Sequence, residues 1–179
     1  MQAARQAKKL ADYQAPDFLI THIELEFELD PLATRVTANS RVIRQGAHQN
    51  PLKLDGQQLQ LVGVWIDGHP CTDYVVSDCQ LILSNVPDSF SLRIETFISP
   101  QTNTALEGLY LSNGAYCTQC EAEGFRAITY YCDRPDVLAV FTTHIIADQQ
   151  QYPHVLSNGN LMATQPMADG RTRVTWHDP

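Results

Sequence analysis

Residues 22–30 carry the clearest alternation of apolar and acidic side chains in this chain. The apolar members occupy every second position: Ile23, Leu25, Phe27 and Leu29. Glutamates and an aspartate fill most of the positions between them. Because successive side chains of a strand point to opposite faces, this pattern predicts a β-strand with one buried face and one wet face.

The next segment, residues 35–42, alternates in the same way but carries basic residues on its polar side. Asp30 and Pro31 supply a turn between the two segments, so we expect an antiparallel return strand. Arg35 and Arg41 are expected to face the acidic side of the first strand. Cross-strand pairs of this kind contribute about 0.2–1 kcal/mol each and favour one register.

The rest of the chain repeats this organisation and predicts one all-β domain, residues 1–179, of twisted, mainly antiparallel sheets. Turn signals recur about every eight to twelve residues, and no helical period is sustained. Asp67-Gly68 and Asn113-Gly114 predict two-residue hairpins. Further strands are predicted at 52–54, 59–66, 74–76, 80–83, 90–98, 108–111, 115–117, 137–146, 155–164 and 171–176. Strand 59–66 is expected to be covered on both faces, residues 1–12 to form a flexible arm, and a helical turn to lie near 128–131 or after Pro135.

Composition narrows the classes of partner and compartment. The formal net charge of −8 argues against a nucleic-acid partner, because phosphate binding needs a basic surface. The first thirty residues contain no long apolar run, so neither a secretory signal nor a membrane partner is supported. Five cysteines form an odd set without the density of a disulfide scaffold. We therefore expect reduced thiols and a cytoplasmic location.

The densest group of polar side chains lies at residues 118–126. If residues 118–123 are extended, Gln119, Glu121 and Glu123 share one face and Cys120 and Ala122 the other. An ammonium group has three donors and no acceptor, and these oxygens are acceptors, so the row is suited to binding a cation. The competing interpretation is an ordinary solvated strand face.

Other polar residues in this region leave alternatives open. Arg126 either neutralises Glu121 and Glu123 in the absence of substrate or is simply solvated, and Arg134 is expected to form a structural corner with its acidic neighbours. A zinc site from Cys117, Cys120, Cys132 and His144 is disfavoured, because Cys-x2-Cys ligands normally sit on a tight knuckle and these lie in a predicted strand. The sequence contains no His-Glu-x-x-His motif, so no catalytic residue and no metal ligand is assigned within it.

Residues 103–148 closely resemble the N-terminal domain of the bacterial aminopeptidase N family of zinc metallo-aminopeptidases. The resemblance extends to residues 13–17, 156–160 and 176–179, and so covers nearly the whole chain. It implies a sandwich-like or saddle-like β domain that caps the active-site cleft of a larger catalytic domain, and it identifies the chain as a fragment. One zinc ion would be held by that catalytic domain, outside these residues.

The resemblance also implies a function for the polar row. In this family the Gln and the first Glu of the Gln-Cys-Glu-Ala-Glu-Gly motif bind the free α-amine of a peptide substrate, and they match Gln119 and Glu121. Glu123 and Arg126 are weaker candidates. The expected function is therefore that of an exopeptidase, a hydrolase that releases N-terminal residues. The alternatives are a non-catalytic β-sandwich binding module and the β domain of a related epoxide hydrolase.

Overall fold

The computed structural model describes residues 9–179 and confirms an all-β fold. Its strands are β1 (Phe18–Glu28), β2 (Thr34–Arg44), β3 (Leu52–Asp55), β4 (Gln60–Ile66), β5 (His69–Cys71), β6 (Tyr74–Val76), β7 (Gln80–Leu83), β8 (Ser89–Ile98), β9 (Gly108–Ser112), β10 (Ala115–Gln119), β11 (Val140–Asp148), β12 (Asn160–Pro166) and β13 (Arg171–Asp178). Short 3-10 helices occupy Leu10–Asp12, Pro100–Thr102 and Phe125–Ala127. Between residues 9 and 179, no helix is long and apolar enough to cross a membrane.

Three sheets make up the domain. The large sheet has eight strands in the order β12-β13-β11-β1-β2-β8-β4-β5, and β3-β7-β6 and β10-β9 form the smaller sheets. All pairs are antiparallel except the central pair, β1 and β11, which run parallel. Parallel neighbours need a long crossover connection. Here the crossover between these two strands contains both smaller sheets.

A β-bulge at Thr21 sets which residues of β1 face the core. Pairing with β2 shifts register between Ile20 and His22, so that Thr21 has no partner. Phe18 and Ile20 are buried before the bulge, and Ile23 is buried after it. One inserted residue exchanges the two faces of a strand, which is why the buried positions change from even to odd numbers.

One hydrophobic cluster unites the large sheet with the three-stranded sheet. It combines side chains of β1, β2 and β8 with Leu52 and Leu54 of β3 and Leu81 and Leu83 of β7. Residues of the segment that follows β10 complete it: Ile128, Tyr130, Tyr131, Cys132 and Val137. The segment that carries the polar row is therefore fixed by the same core that holds the sheets together.

Several local predictions differ from the structure. Strand β4 is second from a sheet edge, and Val62 is exposed at a register shift, so the strand is not covered on both faces. Residues 155–159 lie before β12 rather than in it, and the 3-10 helix at Phe125–Ala127 precedes the predicted helical turn. Arg35 does pair with Glu28, 3.5 Å away, but Arg41 contacts Ser89 of β8 instead of the first strand.

The predicted flexible arm is only partly described. Residues 1–8 lie outside the described residues. Leu10–Asp12 form a 3-10 helix whose side chains are exposed. Just beyond it, the Tyr13 hydroxyl donates a 3.0 Å hydrogen bond to Asp136.

Candidate functional site

The β9–β10 hairpin brings the polar row to the surface. Asn113 and Gly114 form its turn with φ values of 50° and 81°, the positive values that a type I′ turn requires. Strand β10 ends at Gln119, and residues 121–124 form a turn rather than continuing the strand. The prediction that residues 118–123 are extended is therefore wrong, and the polar side chains do not line one strand face.

Gly124 accounts for the tightness of this turn. Its backbone N–H donates to the carbonyl of Cys120 at 2.8 Å, which closes the turn over residues 120–124. A Cβ atom on Gly124 would lie 2.6 Å from the carbonyl oxygen of Gln119 and 3.0 Å from Cα of Cys120. Since both neighbours are backbone atoms, no side-chain rotation could relieve the contact. The peptide bond between Glu121 and Ala122 is cis.

The turn presents three acceptor side chains to solvent. Gln119, Glu121 and Glu123 are all exposed. The side-chain amide of Gln119 donates to the carbonyl oxygen of Glu121 at 3.2 Å, which ties the end of the strand to the turn. Within residues 9–179, the Glu121 carboxylate has neither an ion pair nor a hydrogen bond. Of the two carboxylates of the turn, the uncompensated one of Glu121 is therefore the one better placed to receive a cation.

Arg126 is neither solvated nor paired with Glu121. Its Nε lies 2.9 Å from Oδ2 of Asp133, and its Nη2 lies 3.5 Å from Glu123 and 3.9 Å from Asp55. Burial of the guanidinium opposes its charge, but the hydrogen bond to Asp133 and the three carboxylates outweigh burial and raise the pKa of Arg126. Arg126 is thus a permanent cation that balances the negative charges of the three carboxylates around the turn.

Aromatic side chains support the turn from below. The Phe125 ring packs edge-on against Tyr131 and Phe141, with centroids 4.8 and 5.8 Å apart. The predicted corner after the turn is present, since Arg134 binds Asp136 at 2.7 Å and the carbonyl of Gln14 at 2.8 Å. Sequence analysis did not identify the role of Asp55, because its contact with Arg126 joins segments that are remote along the chain. It also did not identify Phe125, whose contact with Phe141 depends on the docking of β11.

The cysteines and His144 do not converge. Cys117 and Cys132 direct their sulfurs to the carbonyls of Ala115 and Lys53. The His144 ring lies between Glu24 and Thr175, at 2.8 and 2.9 Å. In the described part of the chain, no three His, Cys, Asp or Glu side chains are grouped so that they could hold a metal ion.

All five cysteines are free thiols, and two of them are held protonated. Burial and the nearby charge of Asp133 raise the pKa of Cys120 to about 11. Burial and the charge of Asp55 raise the pKa of Cys132 to about 12. Metal coordination requires the thiolate, so these environments disfavour metal binding by either residue.

A cavity of about 430 Å³ lies on the other side of β10. Its lining includes Tyr116, Thr118 and Cys120 of the hairpin segment and Phe141 of β11, but neither Gln119 nor Glu121. The hairpin therefore has two different faces. One face covers an apolar cavity, and the other presents the acceptor groups.

Comparison with known proteins places the chain in a family. Residues 21–179 match the family described as the peptidase M1 N-terminal domain. The chain is 55% identical over 174 residues to aminopeptidase N of Escherichia coli strain K12, an alignment that covers 97% of this chain and 20% of that protein. The chain thus spans about a fifth of the length of this curated relative.

Solved structures show the same fold. Aminopeptidase A of Legionella pneumophila, in complex with aspartic acid, superposes with a TM-score of 0.88 at 33% identity, covering 96% of this chain and 21% of that one. A variant M1 zinc metallopeptidase from Deinococcus radiodurans, bound to a Tyr-Ser-Ala substrate, superposes with a TM-score of 0.75 at 16% identity, covering 90% of this chain and 39% of that one. At 16% identity the second likeness concerns the fold alone.

Proposed function

Because this chain belongs to the peptidase M1 N-terminal domain family, we propose that it is the N-terminal domain of a zinc-dependent aminopeptidase. In this proposal the domain binds the free α-amine of a peptide substrate, and a separate catalytic domain of the same protein cleaves the first peptide bond. The identity of 55% to an aminopeptidase N over 97% of the chain supports this reaction class over a binding module or an epoxide hydrolase.

The observation that carries the assignment of the site is the uncompensated carboxylate of Glu121. It is exposed in a turn whose base is fixed, while the neighbouring Glu123 carboxylate is paired with Arg126. An ammonium group that leaves water needs acceptors, and a hydrogen bond to a charged partner contributes about 1.5–3 kcal/mol. Glu121 would supply the charge, and the side-chain oxygen of Gln119 would accept a further hydrogen bond.

Fixing the amine would determine which bond is cleaved. A substrate whose first nitrogen is held at one point presents its first peptide bond at a constant distance from that point. Blocked amines lack the charge, and internal peptide bonds have no free amine to bind. Selection of the N-terminal bond would therefore be a property of the turn at residues 119–123.

We place the zinc ion of the proposed enzyme in its catalytic domain. Residues 9–179 offer no suitable cluster of ligands, so the metal of such an enzyme would be bound by the part of the protein outside this chain. We also propose a cytoplasmic location, which the five free thiols support.

The full-length protein provides the test. An amino-acid p-nitroanilide with a free α-amine should be hydrolysed, and the same compound with an acetylated amine should not. Equal hydrolysis of the two compounds, or no hydrolysis of either by zinc-loaded protein, would contradict the proposed function.

A further inference from the structure

Two carboxylates lie two residues apart in the exposed turn, and only one of them is compensated. Glu123 lies 3.5 Å from Nη2 of Arg126, whereas Glu121 has no ion pair within the described residues. A substrate ammonium that approaches this turn would otherwise meet two similar binding groups. The difference between them comes from one side chain, Arg126.

Arg126 is itself held rigidly. Its backbone N–H and its Nε both donate to Oδ2 of Asp133, at 3.1 and 2.9 Å, and its Nη2 donates to the Asp133 carbonyl at 3.0 Å. Its own carbonyl accepts from the backbone N–H of Gln57 at 2.9 Å. The guanidinium is therefore fixed to the scaffold before it reaches Glu123.

Burial distinguishes the partners of this guanidinium. The Asp133 side chain is 11% exposed and the Arg126 side chain 23%, while Glu123 is 56% exposed. Asp133 is thus the anchor of Arg126, and Glu123 is the more exposed partner. The planar guanidinium of an arginine can donate hydrogen bonds to both carboxylates at once. A lysine ammonium, a point charge on a flexible side chain, does this poorly.

Building on the proposed function, we propose that Arg126 is a positioning residue that reserves Glu121 for the substrate amine by occupying Glu123. An amine bound at Glu123 would sit two residues further along the turn, and its first peptide bond would be displaced from the bond-cleaving groups. Such binding is non-productive. Arg126 prevents it without touching the substrate.

The kinetic signature of this role is specific. Arg126→Lys in the full-length protein should keep a cation beside the buried Asp133 and release Glu123. Non-productive binding lowers kcat and KM by the same factor, about two- to tenfold here, and leaves kcat/KM nearly unchanged. A purely structural role would instead lower kcat/KM together with the melting temperature.

Glu123 provides the decisive second variant. Adding Glu123→Gln to Arg126→Lys removes the released carboxylate, so kcat and KM should both return toward the wild-type values. Arg134→Lys serves as the matched control, because Arg134 also pairs with an aspartate but contacts no residue of the turn. It should change neither constant.

A surface variant covers the case in which Arg126→Lys does not fold. Glu123→Asp retracts the carboxylate from Arg126 and leaves the Arg126–Asp133 pair intact, so it should show the same paired decrease in kcat and KM. The inference is overturned if kcat/KM falls in Arg126→Lys and Glu123→Gln does not restore it, or if Glu123→Asp leaves both constants unchanged. Failure of the proposed function would appear differently, as unchanged kinetics in Glu121→Gln.

Discussion

Asp55 and Tyr131 form a two-residue β-bridge that fastens the end of β3 to the segment after the candidate turn. The backbone N–H of Asp55 donates to Tyr131 at 2.7 Å, and that of Tyr131 donates back to Asp55 at 3.0 Å. The Asp55 carboxylate also lies 3.9 Å from Arg126. The turn at residues 121–124 is therefore held between the β9–β10 hairpin and the three-stranded sheet.

Glu121→Gln in the full-length protein should impair catalysis far more than folding. The change is nearly isosteric and removes only the charge that would bind the ammonium, so kcat/KM should fall by roughly ten- to a hundredfold. The free energy of unfolding, measured by melting temperature, should fall by less than about 1 kcal/mol, because the Glu121 carboxylate has no partner within residues 9–179 to lose. Glu123→Gln is the control and should cost less, and unchanged kinetics in Glu121→Gln would refute the amine-anchor assignment.

Gly124→Ala should distort the turn. The added Cβ meets backbone atoms of Gln119 and Cys120, so the chain must move, at a cost of about 1–3 kcal/mol. Because Gln119 and Glu121 move with it, kcat/KM should fall as well. Gly114→Ala, at the other end of β10, meets no atom within 4 Å and should cost only the strain of its positive φ, with little kinetic effect. Equal kinetic effects of the two variants would contradict this role of Gly124.

Glu95 should contribute to stability in a manner that depends on pH. This carboxylate is 4% exposed and lies between Arg93 and Arg35, with Arg35 at 2.6 Å. Burial alone would favour its protonated form, but the hydrogen bonds and charges of the two arginines outweigh burial and lower the pKa of Glu95 below 4.5. Its stabilising effect is therefore present above pH 4.5 and is lost as the pH falls through the lowered pKa.

Denaturant titrations of Glu95→Gln test this sign. The variant should be less stable than wild type by about 1–3 kcal/mol at pH 7, and the difference should shrink in acid. Glu28→Gln, a more exposed partner of Arg35, should cost less. A Glu95→Gln deficit that is constant from pH 7 to pH 3 would be incompatible with this explanation.

The half-buried Cys120 and the buried Cys132 should resist alkylation. Iodoacetamide at pH 8 should modify the exposed Cys79 and spare Cys120 and Cys132, because the thiolate is the reactive form and burial raises the pKa of both residues. Unfolding in guanidinium should make all five cysteines reactive. Since the pKa values of both thiols in the folded chain exceed the ordinary thiol value of 9.0, these thiols should reduce stability only as the pH rises above about 9. Mass spectrometry after a short iodoacetamide pulse at pH 8 measures the order in which the cysteines are labelled. Rapid labelling of Cys132 would contradict the prediction.

The chain of 179 residues should bind no stoichiometric zinc and should not hydrolyse an amino-acid p-nitroanilide. The sulfurs of Cys117 and Cys132 contact different carbonyls, and His144 is occupied by Glu24 and Thr175. Metal analysis of protein purified without chelator measures the first expectation. If the protein holds one equivalent of zinc and Cys120→Ala loses it, the prediction is wrong and the cysteines do form a zinc site.

Local sequence signals predicted most strands, because alternation and turn chemistry act over a few residues. Asn113-Gly114 correctly located the hairpin that carries Gln119, and residues 23–29 correctly located β1. The bulge at Thr21 has no comparable signal, since it depends on the partner strand. The parallel pairing of β1 with β11 is likewise set by the whole topology.

The assignment of the site to Gln119 and Glu121 stays a prediction, whereas the predicted shape of the segment that carries them is wrong. Gln119 and Glu121 are exposed, yet the extended row was wrong because Gly124 closes a turn that alternation cannot reveal. Asp133 lies only seven residues from Arg126, but the contact of Arg126 with Asp55 joins β3 to a segment some seventy residues later and could not be predicted. Their effect on the turn exists only in the folded chain.

The parallel contact of β1 with β11 also bears on when the turn can form. His22 pairs with Val140, so this part of the sheet can close only when two residues far apart in sequence meet. Contacts with a large sequence separation form slowly, because closing the long loop between them costs entropy. During synthesis β1 can pair early with β2, while its other edge stays unpaired until β11 has been made. Until then that edge is an open template for pairing with other chains. Phe125, which supports the turn, packs against Phe141 of β11, so this support is complete only after β11 has paired. We expect a chain that stops before residue 140 to keep this edge of β1 open and to sediment as aggregates more readily than the 179-residue chain.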